Sequence, residues 1–442
     1  MAAPMRDQIP TDSLAHALSL AAEAIAAVIG GRSLDAALAE CWRAHPALAQ
    51  ASRGAIQDLA YGALRRYGRG DFFLQRLLHA PLRETHLRAL LLAALYRLAA
   101  RPEDSHTTVD QAVAAAAQIR HGKYKALANA LLRNYLRQRP ELEAAADAQP
   151  SARHQHPDWW IAALADAYPT DSEAILAAGN QHPPMCLRLN RRRGELDTCL
   201  RRLSDVGIAA RAIDDAAIML EQPLPVTKLP GFAAGQLSVQ DWGAQQAARL
   251  LGASDGMRVL DACAAPGGKS AHLLELADID LLALDVDRGR AARIAENFAR
   301  LGLAAQVGVA DCRQPERWWD GRPFDRVLAD VPCSASGVVR RHPDSKWLRR
   351  AGDIAGYAAV QAEILDALWR LLAPDGKMLY CTCSLFPQEN AQQLAAFAQR
   401  HHDALFLPTG AAGSAAQPHW QLLPQREHDG FFYALLCKRG SP

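Results

Sequence analysis

The N-terminal region of this sequence lacks an apolar run long enough to span a bilayer. Its longest run, Ala21 to Ile29, contains Glu23 and is much shorter than the roughly 20 apolar residues that a spanning helix needs. The residues before it include Asp7 and Asp12, which are not typical of a secretory signal peptide. We therefore expect a soluble, cytoplasmic protein without a membrane partner.

The sequence also lacks CxxC pairs, although it contains nine cysteines. An odd number of cysteines without such pairs fits neither a disulfide framework nor a typical zinc site. We therefore expect reduced thiols and no bound metal, which leaves individual cysteines available for chemistry.

The chain has little net charge, +2 at pH 7, so its total charge does not indicate nucleic-acid binding. Its basic residues are nevertheless clustered. The segment from Gln111 to Pro140 carries six Lys or Arg and no acid. Two further groups follow, namely Arg188, Arg191, Arg192, Arg193, Arg201, Arg202 and Arg211, and then Arg340, Arg341, Lys346, Arg349 and Arg350 beside Trp347. One such group alone is typical of a solvated surface, but three on a near-neutral chain favour a polyanionic partner.

Length and composition predict several domains. A chain of 442 residues, 50% of them hydrophobic, is expected to form two or three domains with ample cores. Residues 1–140 predict an all-α domain of about six or seven helices, because Ala and Leu recur at helical spacing from Ser13 onward. Residues 141–158 are expected to be a linker. Residues 159–235 predict a small α/β adaptor, with a strand over Met185 to Asn190 and a helix over Glu195 to Val206. Residues 236–442 are expected to form the catalytic domain, which a helix over Gln236 to Leu251 begins.

A repeated strand and helix pattern predicts the fold class of that last domain. Short apolar runs end in an acid at Asp261, Asp285 and Asp330, and the run from Gln306 to Ala310 is followed by Asp311. Helical stretches separate these runs. The pattern is typical of an α/β fold with a mostly parallel sheet whose strand ends present polar groups at one edge.

The turn after Asp261, from Ala262 to Lys269, contains small residues, a proline and two glycines. A Walker A loop needs a glycine at the position of Cys263, and a dinucleotide fingerprint needs spaced rather than adjacent glycines. The turn therefore favours a nucleoside without phosphate, such as S-adenosylmethionine. Asp285 follows at the offset typical of an acid that binds ribose hydroxyls. A tight turn that binds nothing is the alternative.

Two cysteines follow strand ends of the same sheet. The strand from Phe324 to Asp330 continues into Val331-Pro332-Cys333-Ser334, and the strand from Lys377 to Thr382 continues into Cys383-Ser384. A single such cysteine is commonly a small buried hydrophobe. Two of them at a nucleoside site indicate covalent catalysis, because carbon 5 of a pyrimidine becomes nucleophilic only after a thiolate adds to carbon 6. A nearby carboxyl can stabilise the developing charge.

Three motifs resemble those of RNA cytosine-5 methyltransferases of the Sun/NOL/NOP family. They are DACAAPGGK at Asp261 to Lys269, DVPCS at Asp330 to Ser334, and TCS at Thr382 to Ser384, and the resemblance extends from about Trp159 to the C-terminus. It implies a class I S-adenosylmethionine-dependent methyltransferase domain with a Rossmann-like sheet. The helical N-terminus is similar to a NusB-type RNA-binding domain. This combination resembles bacterial methyltransferases of small-subunit ribosomal RNA, which implies 16S ribosomal RNA as the partner and 5-methylcytosine as the product. We expect the chain to act as a monomer.

The resemblance also implies roles for individual residues. DNA cytosine methyltransferases attack with a Pro-Cys thiol, whereas in this RNA family the Thr-Cys-Ser thiol attacks and the Pro-Cys thiol assists product release. Cys383 would therefore attack and Cys333 would assist release. Asp330 would lie between cofactor and cytosine, with Lys269 as a further catalytic residue. The cofactor pocket would be lined by Cys263, Ala264, Ala265, Pro266, Gly267, Gly268 and Lys269, with Asp285 at the ribose hydroxyls and Asp311 at the adenine amine.

Other functions stay open. A catalytically inactive RNA-binding or ribosome-assembly protein would keep the basic groups without needing a thiol pair. A protein or small-molecule methyltransferase would keep the cofactor turn but need neither. A 5-methylcytosine methyltransferase of another RNA would share all of these features.

Overall fold

The computed structural model describes residues 9–409 and 418–440. The chain divides into two compact units, Met1–Gln181 with Val339–Ala351, and His182–Val338 with Gly352–Pro442. This division differs from the boundaries expected above, because the helical unit continues beyond residue 140 and includes a segment from the second half of the chain.

The first unit is helical. From residue 9 to residue 138 the structure has seven α-helices, in agreement with the six or seven that the sequence predicts: α1 Leu14–Ile29, α2 Leu34–Ala44, α3 Gln50–Arg65, α4 Tyr67–Leu77, α5 Thr85–Ala100, α6 Ser105–Ala116 and α7 Lys125–Arg137. Ser13 and Ser33 cap α1 and α2, since their side chains accept hydrogen bonds from the backbone N–H groups of His16 and Ala36. The apolar faces of the seven helices share one core.

The prediction of a linker at 141–158 is wrong. This stretch is largely helical, with α8 Arg139–Asp147, α9 Pro150–His154 and the start of α10 Asp158–Ala167, and α11 Ser172–Gly179 follows. Pro140 and Pro150 lie in the first turns of α8 and α9, where a helix tolerates proline because the N–H groups there have no intrahelical partner. Ala146 and Ala152 join the same core as the earlier helices.

The second unit begins with a small antiparallel sheet in the order β2-β3-β1-β4. Its elements are β1 Met185–Leu189, α12 Leu196–Asp205, β2 Ala210–Ala212, β3 Ala217–Leu220 and β4 Leu237–Val239. The strand and helix predicted here are confirmed as β1 and α12. The helix predicted over Gln236 to Leu251 is wrong in its first part, because β4 pairs with β1. The helix α13 Trp242–Leu251 begins only after Asp241, whose side chain caps it.

The large sheet confirms the predicted α/β class with a mostly parallel sheet. Its elements are β5 Arg258–Asp261, α14 Gly268–Leu276, β6 Asp280–Asp285, α15 Arg288–Leu301, β7 Gln306–Val309, β8 Phe324–Asp330, α16 Ser345–Leu348, α17 Asp353–Leu371, β9 Leu372–Thr382, α18 Ala391–Arg400, β10 Ala404–Leu407, β11 His419–Leu422 and β12 Phe431–Lys438. Of these, α16 belongs to the first unit. The strand order is β10-β12-β9-β8-β5-β6-β7, and β11 pairs with β12.

The strands β5 to β9 are parallel, and β10 to β12 pair antiparallel. Successive residues of the central strands enter two separate cores. Val259 of β5 packs into one cluster and Leu260 into the other. Burial on both faces explains why these strands appear in the sequence as continuous apolar runs.

The described residues, 9–409 and 418–440, contain neither a membrane-spanning helix nor a metal-binding cluster. None of their helices is long and apolar enough to cross a membrane. They also contain no group of three or more His, Cys, Asp or Glu residues arranged to hold a metal ion.

Candidate active site

A cavity of about 340 Å³ lies at the carboxyl ends of β5, β6 and β8. The strand order reverses beside β5, with β6 and β7 on one side and β8 and β9 on the other. Such a switch point is where doubly wound sheets bind ligands. The volume lies within the range of small-molecule sites, roughly 300–1,000 Å³. Asp285, Asp311 and Asp330 line this cavity, so the structure brings these strand-end acids together.

Asp261 does not line the cavity, contrary to the expectation that all the strand-end acids meet at its edge. The residue is fully buried, because β5 is a central strand and Asp261 is still in register with both β6 and β8. The Ser270 hydroxyl donates a hydrogen bond to its Oδ2 atom at 2.6 Å. Burial raises the pKa of the Asp261 carboxyl to about 7.

Part of the turn between β5 and α14 forms the cavity wall. Cys263 and Ala265 line it, whereas Ala264, Pro266, Gly267, Gly268 and Lys269 are not among the lining residues. The Ala264 N–H donates to the carbonyl of Leu284 at 2.7 Å, which fixes the turn against β6. Gly267 has a φ of +95°, and a Cβ atom there would lie only 3.1 Å from the Ile294 side chain. This position therefore needs glycine.

Two arginines that the sequence reasoning did not select hold the acids of the cavity. Asp285, only 2% exposed, accepts hydrogen bonds from the N–H groups of Ala265 at 3.3 Å and Asp287 at 3.0 Å, and its carboxylate lies 3.3 Å from Arg290. Hydrogen bonds from Arg313 lower the pKa of Asp311. Arg290 lies three residues after Asp287, the cap of α15, and Arg313 lies two residues after Asp311. This closeness in sequence between each arginine and an acid was the signal that could have identified them.

Lys269 reaches the same region from α14. Its Nζ atom lies 2.5 Å from Oδ2 of Asp330, and the two side chains are 13% and 30% exposed. Burial opposes the charge on Lys269, but the Asp330 carboxylate raises its pKa overall, so the ammonium persists. The Cys381 thiol donates to the other Asp330 oxygen at 3.4 Å. Asp330 is therefore fixed from two sides at the cavity wall.

Cys333 and Cys383 bring their thiols together at the cavity, which both residues line. The N–H of Gly337 donates to the carbonyl of Cys383 at 2.8 Å, so the turns after β8 and β9 are joined. The two sulfur atoms lie 3.4 Å apart. The hydrogen bond with Cys383, together with burial, raises the pKa of the Cys333 thiol. The two thiols share a hydrogen bond in which either sulfur can be the donor.

The sequence reasoning also missed Glu389. The structure forms a short 3-10 turn over Pro387–Glu389 before α18 and buries the Glu389 side chain completely. An acid six residues after Cys383 and two residues after Pro387 was the available signal.

The basic groups differ in their surroundings. Arg133 and Arg137 are exposed on α7, so the prediction of a basic surface there stands untested. The prediction that Arg188 belongs to such a surface is wrong, because this residue is buried in an ion pair with Glu275 at 2.8 Å. Lys346 is also buried. Its Nζ atom donates to Asn180 Oδ1 at 2.9 Å, and burial lowers its pKa well below the usual value.

Three family models match successive parts of the chain. Residues 16–137 match the NusB family, residues 156–227 match a ferredoxin-like domain of RsmF/B-like methyltransferases, and residues 248–437 match 16S rRNA methyltransferase RsmB/F. The resemblance of the helical N-terminus to NusB is thus confirmed.

Solved structures support the fold. PH0851 aligns with a TM-score of 0.81 over 97% of this chain and 99% of its own, at 24% sequence identity. NSun6 from Pyrococcus horikoshii, solved with SFG, aligns with a TM-score of 0.58 over 64% of this chain and 99% of its own, at 17% identity.

Relatives of similar length show the family. The chain is 42% identical over 427 residues to ribosomal RNA small subunit methyltransferase B of Serratia proteamaculans (strain 568), covering 95% of this chain and 98% of the relative. It is also 42% identical over 431 residues to the protein of the same name from Pseudomonas putida, covering 95% and 97%. With these matches along its whole length and a methyltransferase sheet that carries the cavity, the chain belongs to the 16S rRNA methyltransferase RsmB/F family.

Proposed function

We propose that this protein transfers a methyl group from S-adenosylmethionine to carbon 5 of a cytosine in 16S ribosomal RNA, through a covalent bond between Cys383 and the cytosine. The observation that carries the proposal is the pair of thiols 3.4 Å apart at a nucleoside-sized cavity. The names of the relatives, ribosomal RNA small subunit methyltransferase B, support the choice of RNA.

The residues around the cavity fit S-adenosylmethionine. Asp285 and Asp311 offer carboxylate oxygens that can accept hydrogen bonds from ribose hydroxyls and the adenine amine. The Val286 side chain lines the same cavity and is 67% exposed, so it offers apolar surface to a flat ring. When bound, this cofactor supplies an electrophilic methyl group on a positively charged sulfur.

Cys383 is suited to the attack. Its thiolate would form a bond to carbon 6 of the cytosine, which moves electron density to carbon 5 and allows that carbon to accept the methyl group. The Cys333 thiol shares a hydrogen bond with this sulfur, in which it can act as the donor, and the Lys269 ammonium interacts electrostatically with the Cys383 thiol. Both groups can stabilise negative charge on this sulfur.

Asp330 is suited to hold the base. Its carboxylate is oriented by Lys269 on one oxygen and by Cys381 on the other, and it lines the cavity with the two thiols. A carboxylate held in this way can accept a hydrogen bond from the exocyclic amine of cytosine. An oriented group of this kind stabilises the charge that develops in the transition state more strongly in such a partly buried site than it would in water.

Product release needs two further changes. A base must remove the proton from carbon 5, and the bond between carbon 6 and Cys383 must break to restore the aromatic ring and the thiolate. Cys333 is the neighbouring group, with its sulfur 3.4 Å from the sulfur of Cys383. We assign to Cys333 the role of assisting the breaking of the bond between carbon 6 and Cys383.

The test compares single cysteine variants incubated with 16S ribosomal RNA and S-adenosylmethionine. Cys383→Ala should abolish methylation and leave no covalent adduct. Cys333→Ala should still attack and transfer the methyl group but stall afterwards, so that a protein–RNA adduct survives denaturing electrophoresis. Bisulfite sequencing of the RNA locates the methylated carbon 5 position.

Cys437→Ala is the matched control, because Cys437 is a partly buried cysteine in β12. It should retain methylation and form no stable adduct. Adduct with Cys383→Ala but none with Cys333→Ala would reverse the assignment of the two thiols. RNA binding without methylation by the native chain would instead indicate an inactive assembly protein.

A further inference from the structure

Glu389 is a buried acid that contacts both cysteine turns. It lies between β9 and α18 in the 3-10 turn Pro387–Glu389, and its side chain is fully buried. It does not line the cavity. A carboxylate in such a place needs several hydrogen-bond donors to offset the loss of water. Its donors therefore show which parts of the protein it holds.

Each oxygen of Glu389 serves one of the two turns. Oε1 accepts a hydrogen bond from the backbone N–H of Ser334, the residue after Cys333, at 2.8 Å. Oε2 accepts one from the hydroxyl of Ser384, the residue after Cys383, at 2.5 Å. One rigid carboxylate thus connects the residues that follow the two thiols.

The surrounding hydrogen bonds strengthen this connection. Gln361 of α17 donates to Oε1 of Glu389 at 3.0 Å and to the carbonyl of Pro332 at 2.9 Å. The hydroxyls of Ser334 and Ser336 lie 3.1 and 3.2 Å from that of Ser384. All of these side chains are buried, so water does not compete for their hydrogen bonds.

We propose that Glu389 is a positioning residue, which sets the distance between the sulfur atoms of Cys333 and Cys383. The inference rests on the proposed function, in which the two thiols act in turn at one cytosine. Glu389 acts through the two turns and touches no reacting atom. A carboxylate accepts from the Ser334 N–H and the Ser384 hydroxyl at once, whereas a neutral amide has one acceptor oxygen and would require the Ser384 hydroxyl to turn and accept instead.

Glu389→Gln is the main test. It keeps the size of the side chain but turns one acceptor oxygen into an NH2 donor, so either the Ser384 hydroxyl must give up its hydrogen bond to residue 389 and turn, or the Ser334 N–H loses its acceptor. Loss of alignment by about 1 Å can lower a catalytic rate by about a hundredfold. We therefore expect kcat for methylation to fall by about that factor, whereas KM for RNA and for S-adenosylmethionine changes by less than about twofold, because Glu389 contacts neither binding surface.

A second readout measures the thiol geometry without methyl transfer. The azo oxidant diamide removes two electrons and two protons from a pair of thiols, forming a disulfide and the corresponding hydrazine, and the rate depends on how closely the sulfurs approach. Peptide mass spectrometry identifies the disulfide of Cys333 with Cys383 among the nine cysteines. In Glu389→Gln this disulfide should form at least about tenfold more slowly than in the native chain, in parallel with the loss of kcat.

Gln388→Ala is the matched control, because Gln388 is the exposed neighbour of Glu389. It should change neither kcat for methylation nor the rate at which diamide forms the disulfide of Cys333 with Cys383. Thermal unfolding of each variant reports its folded fraction, and if Glu389→Gln does not fold, Ser384→Ala, which removes only the donor to Oε2, is judged by the same two rates.

A folded variant whose disulfide forms at the native rate overturns the positioning role, whatever its methylation activity. A slower disulfide together with a native chain that does not methylate cytosine overturns the proposed function but supports the positioning role.

Discussion

Arg188 and Glu275 form a buried ion pair beside the turn that lines the cavity. The two side chains are only 0% and 2% exposed. Nε and Nη2 of Arg188 donate to the two carboxylate oxygens at 2.9 and 2.8 Å. Nη1 donates to the carbonyl of Gly268, the first residue of α14, at 2.8 Å. This arrangement connects β1 of the small sheet to the start of α14.

Removal of one partner should destabilise the second unit strongly. Glu275→Ala leaves the guanidinium buried without its counter-charge, for which we expect a loss of about 3–5 kcal/mol in the free energy of opening. The double replacement Arg188→Met with Glu275→Leu should recover most of this loss, because no charge is then buried. The neighbouring pair of Arg192 and Asp278, 3.0 Å apart, is 42% and 84% exposed. Asp278→Ala should therefore lower stability by less than about 1 kcal/mol.

Hydrogen exchange followed by mass spectrometry measures these differences in the free energy of opening for the second unit separately from the first. The amides of β5 lie in the centre of the sheet, and such strands exchange through the largest openings of a domain. Equal protection of β5 in Glu275→Ala and Asp278→Ala would refute the argument from burial. A double variant as unstable as Glu275→Ala would show that lost packing, rather than an unpaired charge, causes the effect.

Three further results are expected. Asp285→Ala should raise the Kd of S-adenosylmethionine in calorimetry by roughly tenfold to a hundredfold, because a charge-assisted hydrogen bond contributes roughly 1.5–3 kcal/mol; tight binding of ATP instead would contradict the choice of cofactor. Charge reversal of Arg133 and Arg137 to Glu should weaken RNA binding and flatten its dependence on salt, because fewer counterions are released; an unchanged slope would indicate an ordinary solvated surface. Folding raises the pKa of Asp261 from 3.8 to about 7, so the folded state binds the proton more tightly and the native chain should lose stability as pH rises between these values. Asp261→Asn should remove that loss in thermal unfolding at pH 4 and pH 8, and equal pH dependence in both chains would contradict the assignment.

The central strands of the parallel part of the sheet were predictable because they are buried on both faces. Val259-Leu260 and the strand Phe324–Asp330 appear as short apolar runs between helical stretches, which is the strongest sequence signal of such a sheet. The antiparallel strands β10 and β11 were not predicted. Each has only four residues, and both form by pairing with β12, a contact between distant residues that local patterns do not reveal.

The acids of the site show the same difference between what local sequence patterns predict and what depends on neighbouring strands. A strand end places an acid at the edge of a parallel sheet, and Asp285 and Asp330 line the cavity at that edge. The same rule was wrong for Asp261, because neighbouring strands on both sides bury the end of β5. Arg188 was grouped with exposed arginines because it lies near them in sequence, whereas its partner Glu275 is 87 residues away.

The meeting of the two thiols at one edge of the sheet was predictable from the sequence, whereas the distance between their sulfur atoms was not. Cys333 and Cys383 are 50 residues apart, and they meet because β8 and β9 are parallel neighbours with Asp330 opposite Cys381. Strand order and register bring the two turns to the same edge, and sequence patterns can predict that much. The sulfur–sulfur distance depends on side chains outside the cysteine motifs, since Glu389 joins Ser334 to Ser384 within a buried hydrogen-bond network. In the proposed mechanism, the geometry of the two thiols therefore depends on Glu389, and this residue is identified only from the contacts of the folded chain.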